Sequence, residues 1–322
     1  MELLTKEFFE KSAVGTEFTR VALIKDYSKK VTRTGKDFLD GQLQFGQVVS
    51  FKVWSNSNAI RKMITEDYTN TPCAVSGVIE EYEGNRTITI KDVNAVEGYT
   101  PDMFFEVRYQ QQAYVDALNN ELNRVLSDKG KQVRDIVMTP EVCSRFYEEF
   151  AAMKYHDNCK SGLLAHTFKM VCILGWVVQT YPMLVMDYDE VNKKYVPSKD
   201  RLDLIYLGVV LHDIGKIIEM NFGTYQRNSF VGHTFFGAEM IAKHREEIVN
   251  LYGEDWYYQL ASVLLQHHDE YETPCKTVLS FVVHNIDKLE STLTGLCQQM
   301  ESSTMLDSTG ARVKWDNKIL TI

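Results

Sequence analysis

The chain has 322 residues, 44% of them hydrophobic and 25% charged, which at ~150 residues per domain leaves room for about two domains with real cores. That composition excludes collagen-like, disordered and disulfide-scaffold classes. A formal net charge of -9 excludes a chain that is basic all over, so any contact with nucleic acid must use a local patch.

In chain order, residues 1–12 (MELLTKEFFEKS) are too charged for a signal peptide, and the expectation is a cytoplasmic protein with reduced thiols. The six cysteines contain no C-x-x-C pair, which argues against a zinc ribbon or a thioredoxin motif. Five segments rich in β-branched and aromatic residues follow, at 17–25, 36–44, 47–54, 72–82 and 86–96. Turn residues at 33–36 and 83–85 separate the first and the last pair, and 55–71 has room for one short helix. Five short antiparallel strands with an insertion after the third describe a small all-β barrel of the OB type, assigned to residues 1–100. From 101 to 322 the periods turn helical, at 109–126, 141–153, 163–180, 201–220, 233–251, 256–268 and 275–300. Tyr114, Leu118, Leu122 and Val125 mark one helical face. The apolar run 163–178 falls short of the ~20 residues of a membrane span, so no membrane partner is expected. Residues 187–200 read as a polar surface loop.

All eight histidines lie between His156 and His284, outside the barrel segment. The strongest local signal is His212-Asp213-Ile214-Gly215-Lys216 at the end of an apolar run. A buried carboxylate demands a cation or a strong partner, and a divalent metal would supply one, with Asp213 able to bridge two ions. Lys216 comes three residues after Asp213, where its ammonium could hold a phosphate. Taken alone, the dipeptide fits a helix end with a solvated Asp213 equally well. His166, His233, His267, His268 and Asp287 also sit in sequence that should be buried, and a shared metal centre is the economical account of all of them. Mixed nitrogen and oxygen donors suit manganese, iron, cobalt, nickel or zinc better than calcium or magnesium alone, and manganese is the expected ion. His244 reads as exposed and His284 as a residue behind the centre.

A His, then His-Asp, then His, His-His and a final Asp, in that order, resemble the HD superfamily of metal-dependent phosphohydrolases. The resemblance implies an all-α HD domain whose divalent metal, as two ions, is held by His166, His212, Asp213, His233, His267, His268 and Asp287. The barrel before it narrows the likeness to the YhaM-type 3′-to-5′ exoribonucleases. It is carried by residues 34–39 (TGKDFL), 53–54 (VW), 82–84 (YEG) and 88–90 (ITI), then 161–163 (SGL) leading to His166, HDIGK, Gly232-His233, His267-His268 and 284–287. His156, ten residues before His166, matches a family histidine and becomes a substrate-contact candidate. Where the family continues after the histidine pair with a glycine and a longer loop, this chain has DEYETP at 269–274, which makes Asp269 a further ligand candidate.

The resemblance implies metal-dependent 3′-to-5′ exonuclease action on single-stranded RNA or DNA, with His212, Asp213 and Lys216 catalytic. In the barrel, six basic residues against Asp26 between Arg20 and Lys36 make a local patch in which Lys29, Lys30, Arg33 and Lys36 are the substrate-binding candidates. Phe18, Tyr27, Phe38, Phe51 and Trp54 could stack on bases, although any one of Phe38, Phe51 and Trp54 fits a barrel core better. Two alternatives stand beside this reading: an HD phosphohydrolase of small nucleotides with a regulatory barrel, and a non-enzymatic single-strand binding protein. Oligomeric state, including a homo-oligomer, is left open.

Overall fold

A computed structural model describes residues 1–82, 84–152, 156–226, 229–269, 272–303, 305–307, 310–315 and 318–321, with the side chains of 302–303, 305–307 and 310 excepted. The chain divides into two units, Met1–Val107 and Arg108–Ile322.

The first unit opens with helix α1 (Lys6–Lys11), whose first turn is capped by Thr5 Oγ1 accepting from the Phe8 amide. Strands β1 (Glu17–Val31), β2 (Asp37–Gln44) and β3 (Val48–Trp54) are followed by helix α2 (Asn58–Thr65), then β4 (Thr71–Tyr82) and β5 (Asn85–Ala95). Among the described residues these strands close a barrel in the order β1-β2-β3-β5-β4, antiparallel except where β3 runs parallel to β5 at Phe51–Ile88. This is the OB-type barrel expected from the strand count and the inserted helix. Alternation explains the closure: Val49, Phe51 and Val53 of β3 point inward while Val48 and Ser50 face out. β1 serves two neighbours, pairing with β4 through its first half and β2 through its second, with a bulge between Ile24 and Asp26. Opposite that bulge a Cβ on Gly41 would lie 2.3 Å from the Asp26 carbonyl and 2.7 Å from the Phe51 ring, so only glycine lets β2 cross there. The turn expected at 83–85 has Gly84 at φ 78°, and Glu83 lies outside the described residues.

The second unit is mostly helical. Helices α3 (Gln111–Val125), α4 (Asp128–Val137), α5 (Pro140–Glu148) and α6 (Gly162–Thr180) come first. Ser127 and Thr139 cap α4 and α5 by accepting the Gly130 and Val142 amides, and Pro140 sits at the first position of α5. Helix α6 stops ahead of Pro182, with Tyr181 as its cap. By length and composition α6 could cross a membrane, but nine of its residues are buried in the unit, His166 among them. The polar segment 187–200 forms the greater part of a hairpin, β6 (Met186–Asp189) against β7 (Lys194–Pro197).

Next come α7 (Lys199–Leu211), the short α8 (Lys216–Glu219), the small hairpin β8 (Met220–Asn221) with β9 (Thr224–Tyr225), α9 (Gly232–Ala242), α10 (Arg245–Tyr252), α11 (Glu254–Gln266) and α12 (Val278–Ser303). Strands β10 (Met305–Asp307), β11 (Gly310–Trp315) and β12 (Lys318–Thr321) close the unit as a small sheet. Three differences from the periodicities stand out. The 201–220 run breaks after Leu211, where residues 212–215 turn, and the 233–251 run breaks at Lys243-His244. The helix expected over 141–153 ends at Glu148, and Met153 lies outside the described residues. Leu204 to Leu211 of α7 are buried on every side, making α7 the axis around which α6, α11 and α12 pack.

Candidate metal centre

The site is assembled from the ends and faces of the helices around α7. His212 and Asp213 occupy the turn that ends α7, His166 the first turns of α6, and His233 the start of α9. His267 and His268 follow the last turn of α11, and Asp287 projects from α12. The tight turn is held by the Ile214 amide donating to Leu211 and the Lys216 amide to Asp213. Its glycine is there for space: a Cβ on Gly215 would lie 2.0 Å from the His233 carbonyl oxygen and 2.5 Å from the Gly237 nitrogen. The turn bearing Asp213 therefore touches the helix bearing His233 backbone to backbone.

Asp213 is the hub. Its Oδ1 lies 3.2 Å from His233 Nε2 and 3.6 Å from His267 Nε2. Its Oδ2 lies 3.2 Å from His212 Nε2, 3.8 Å from His166 Nε2 and 2.6 Å from Lys216 Nζ. His166 Nε2 also lies 3.3 Å from Asp287 Oδ1. Two sets of ligand atoms close enough to hold an ion result: Asp213, His233, His267 and His268, and His166, His212 and Asp287. A third set, His156, His166 and Glu290, shares His166. The seven residues expected to gather at a metal are thus brought together.

Each imidazole is held from behind. Nδ1 of His212 meets the Val209 carbonyl at 2.7 Å and Nδ1 of His267 meets Leu264 at 3.0 Å. His166 is backed by Glu290 at 2.5 Å, His233 by Glu219 at 3.0 Å and His268 by Glu272 at 3.0 Å. These partners are acceptors, so Nδ1 carries the proton and Nε2 turns its lone pair to the centre. Nε2 of His166, His212, His233 and His267, and Asp213 Oδ1, are buried without a hydrogen-bond partner. Acceptors that converge on one another with no donor between them suit a cation, so the residues fit a divalent metal.

A cation at the centre competes with protons for the same ring nitrogens. Burial pushes His166 down, but Asp287 and Glu290, the carboxylates facing its two ring nitrogens, outweigh it and raise its pKa to about 10. His233, likewise buried, is raised to about 9 by Asp213 and Glu219. Burial opposes ionisation of Asp213, yet His212 and Lys216 hold it well below the usual carboxylate range. The centre draws positive charge.

His156 stands 5.1 Å from His166, ring to ring, with its Nε2 buried and unpartnered. Burial, reinforced by the charge of His166 and Lys216, lowers its pKa to about 4. Lys216 donates to the Ala151 carbonyl and to Asp213, 2.6 Å each. Asp269 is not gathered into the ligand sets: its Oδ1 accepts the Cys275 amide at 2.7 Å. Glu270 and Tyr271 of the same segment lie outside the described residues. His284 stands behind the centre, its Nδ1 on the His267 carbonyl at 2.7 Å. Sequence reasoning missed Glu219, Glu272 and Glu290. For Glu219 and Glu290 the spacing three residues after Lys216 and Asp287 was the available clue.

In the barrel, the basic segment is less free than its formal charge. Lys29 pairs with Asp37 at 2.6 Å, Lys30 with Asp40, and Arg20 with Glu2 at 2.6 Å, while Lys25 is buried. Arg33 and Lys36 are exposed in the β1–β2 turn, with no ion pair among the described residues. Phe18 and Phe51 belong to the core, and the Tyr27 hydroxyl donates to the Met63 and Glu66 carbonyls. Phe38 and Trp54, cross-strand neighbours on β2 and β3, stack at 5.3 Å and remain partly exposed. Lys52 reaches over the rings of Trp54 and Tyr82, at 5.7 and 4.6 Å.

The helical unit with this His-Asp constellation, which follows a barrel of OB topology, contains an HD domain: the HD domain family profile matches residues 163–292. Over most of its length the chain is similar to curated relatives named 3′-5′ exoribonuclease YhaM. One from Listeria monocytogenes is 27% identical with 87% of each chain covered, and one from Bacillus pumilus is 25% identical with 89% of each covered. The resemblance read from the motifs is borne out. Among solved structures, the mitochondrial single-stranded DNA binding protein Rim1 of S. cerevisiae matches 26% of this chain and 96% of its own at 13% identity and a TM-score of 0.23. The barrel assignment rests on its strand order.

Proposed function

We propose that the chain is a divalent-metal-dependent 3′-to-5′ exonuclease that hydrolyses single-stranded RNA, and DNA as a further substrate, to nucleoside monophosphates. One observation carries the reading: four buried Nε2 atoms without donors surround a buried carboxylate whose Oδ1 also has none. The HD profile and the activity named for the relatives support the reaction class. His166, His212, Asp213 and Asp287 would hold one ion, and Asp213, His233, His267 and His268 a second, with manganese suited to the mixed donor set. Divalent cations held there lower the pKa of water and offset charge on phosphoryl oxygens.

The remaining work falls to side chains. Lys216 keeps its ammonium at the Asp213 carboxylate, so a phosphoryl oxygen arriving beside Asp213 gains a charge-assisted hydrogen bond. His156 turns an unpartnered, buried Nε2 beside His166 and contacts the terminal nucleotide. On the barrel Phe38 and Trp54 stack on bases, Arg33 and Lys36 meet phosphates, and Lys29 and Lys30 exchange their carboxylates for phosphate.

The test uses metal-stripped protein, Mn²⁺ and labelled RNA with free or blocked ends. Monophosphates should be released when the 3′ end is free, whether or not the 5′ end is blocked. Equal degradation of 3′-blocked RNA would refute the direction, and an Asp213→Ala variant with full activity would refute the centre.

A further inference from the structure

Resting on that metal reading, we infer that Glu290 is the positioning residue for His166 and so sets the cation affinity of the His166, His212 and Asp287 half of the centre. Glu290 is 2% exposed on α12, a place that a carboxylate occupies at a cost unless its oxygens are satisfied. Both are. Oε2 accepts from His166 Nδ1 at 2.5 Å, while Oε1 accepts from Thr294 Oγ1 at 2.5 Å and pairs with Lys169 Nζ at 2.7 Å. Lys169 in turn donates to Thr294 Oγ1 and to Asp157 Oδ2, 2.7 Å each. Asp157, fully buried, accepts from the Tyr109 hydroxyl and from Gln298 Nε2. The carboxylate behind His166 is therefore clamped on its far side by an ammonium that is itself clamped.

His212 and His267 take their orientation from backbone carbonyls that no substitution removes. For His166 the tautomer depends on a side chain. A carboxylate can only accept, which keeps the proton on Nδ1 and the Nε2 lone pair toward Asp213 and Asp287. An amide at 290 can instead donate to Nδ1, moving the ring proton to Nε2, where it faces the centre and blocks ligation. Glu272 backs His268 from an exposed loop position. Glu290 is buried and held through both oxygens, so its geometry leaves less room for rearrangement.

The experiment is a Mn²⁺ titration of the metal-stripped full chain by calorimetry, with unfolding midpoints recorded for every variant. Glu290→Gln should weaken Mn²⁺ binding by about 10- to 100-fold. Thr294→Val, near-isosteric and mild toward folding, should weaken it in the same direction by a smaller factor. In a His166→Ala background Glu290→Gln should cost nothing further, since a positioning role acts through that ring, whereas a merely structural one would add. Wild-type affinity in both Glu290→Gln and Thr294→Val would overturn the inference, as would an undiminished Glu290→Gln loss without His166. If Asp213→Ala bound Mn²⁺ like the wild type, the metal reading itself would fall. If Asp213→Ala lost binding while Glu290→Gln kept it, only the positioning role would.

Discussion

Gly215→Ala isolates the contact that brings Asp213 to His233. Gly215 has φ -65°, which alanine adopts freely, so any effect comes from space rather than backbone conformation. The added Cβ would meet the His233 carbonyl oxygen at 2.0 Å and the Gly237 nitrogen at 2.5 Å. To restore an ordinary 3.4 Å contact the carbonyl must retreat by about 1.4 Å. Metal sites tolerate ligand shifts of about 0.2 Å, and a misplacement of ~1 Å near the chemistry can cost about 10²-fold. Gly215→Ala should therefore lose about 100-fold or more in RNA hydrolysis, bind Mn²⁺ more weakly and lose about 1–3 kcal/mol of stability when unfolded in chelator. The matched control is Gly175→Ala in α6, whose Cβ would lie 3.5 Å from the Tyr206 hydroxyl. It should keep activity and gain about 0.5–1 kcal/mol from helix propensity. Wild-type Mn²⁺ affinity and turnover in Gly215→Ala would refute the claim that this approach of α8 to α9 builds the site.

Burial pushes the Cys73 thiol up to about 12, so at pH 8 almost none of it is thiolate. Peptide mapping after iodoacetamide treatment of native protein should find Cys172 and Cys297, both exposed, modified first and Cys73 untouched; early alkylation of Cys73 would contradict a closed barrel. Trp54→Ala should weaken single-strand binding by about 1–3 kcal/mol per lost stack, read by fluorescence anisotropy with the inactive Asp213→Ala chain. Because Arg33 and Lys36 are exposed without a carboxylate partner among the described residues, and Lys29 and Lys30 are proposed to exchange Asp37 and Asp40 for phosphate, the salt dependence of that binding should have a log–log slope of about -2.8 from four phosphate contacts. A slope of only about -1.4 would mean that Lys29 and Lys30 stay with Asp37 and Asp40 and leave phosphate to Arg33 and Lys36.

The elements that the sequence makes legible are those whose residue types have one good explanation. β-Branched alternation broken by turns can hardly be anything but strands, and histidines inside apolar runs demand a buried partner. Glu219, Glu272 and Glu290 stay invisible because a glutamate in a mixed helix or polar loop looks like solvated surface until a ring is found behind which it sits. Helix α4 is hidden by Gly130, a poor helix former kept because a Cβ there would lie 2.8 Å from the Asp203 carboxylate. The basic segment reads as more cationic than it is for a geometric reason. Its acids, Asp37 and Asp40, lie just past Lys36, and the antiparallel register of β1 with β2 folds them back onto Lys29 and Lys30. Formal charge along a chain is not charge on a surface when a hairpin intervenes.

Burial alone does not mark a functional acid in this protein; the supply of donors does. Asp203 is fully buried in α7. Its carboxylate accepts from the Ser127 amide and hydroxyl and from the Tyr252 hydroxyl, so it ties α4 and α10 to α7 and needs nothing else. Glu149, 1% exposed, accepts the Phe150, Phe222 and Gly223 amides and pairs with Arg145, which fixes the β8–β9 hairpin. Asp157 is neutralised by Lys169. Asp213 differs from all three: among the described residues its Oδ1 is the buried carboxylate oxygen with no hydrogen-bond partner. The groups nearest that oxygen are ring nitrogens whose protons are committed elsewhere. An acid left in that state is costly in a folded protein, and the cost is offset when a cation takes the place of the missing donors. The distinction separates the acids that hold the fold from the one around which the centre is built.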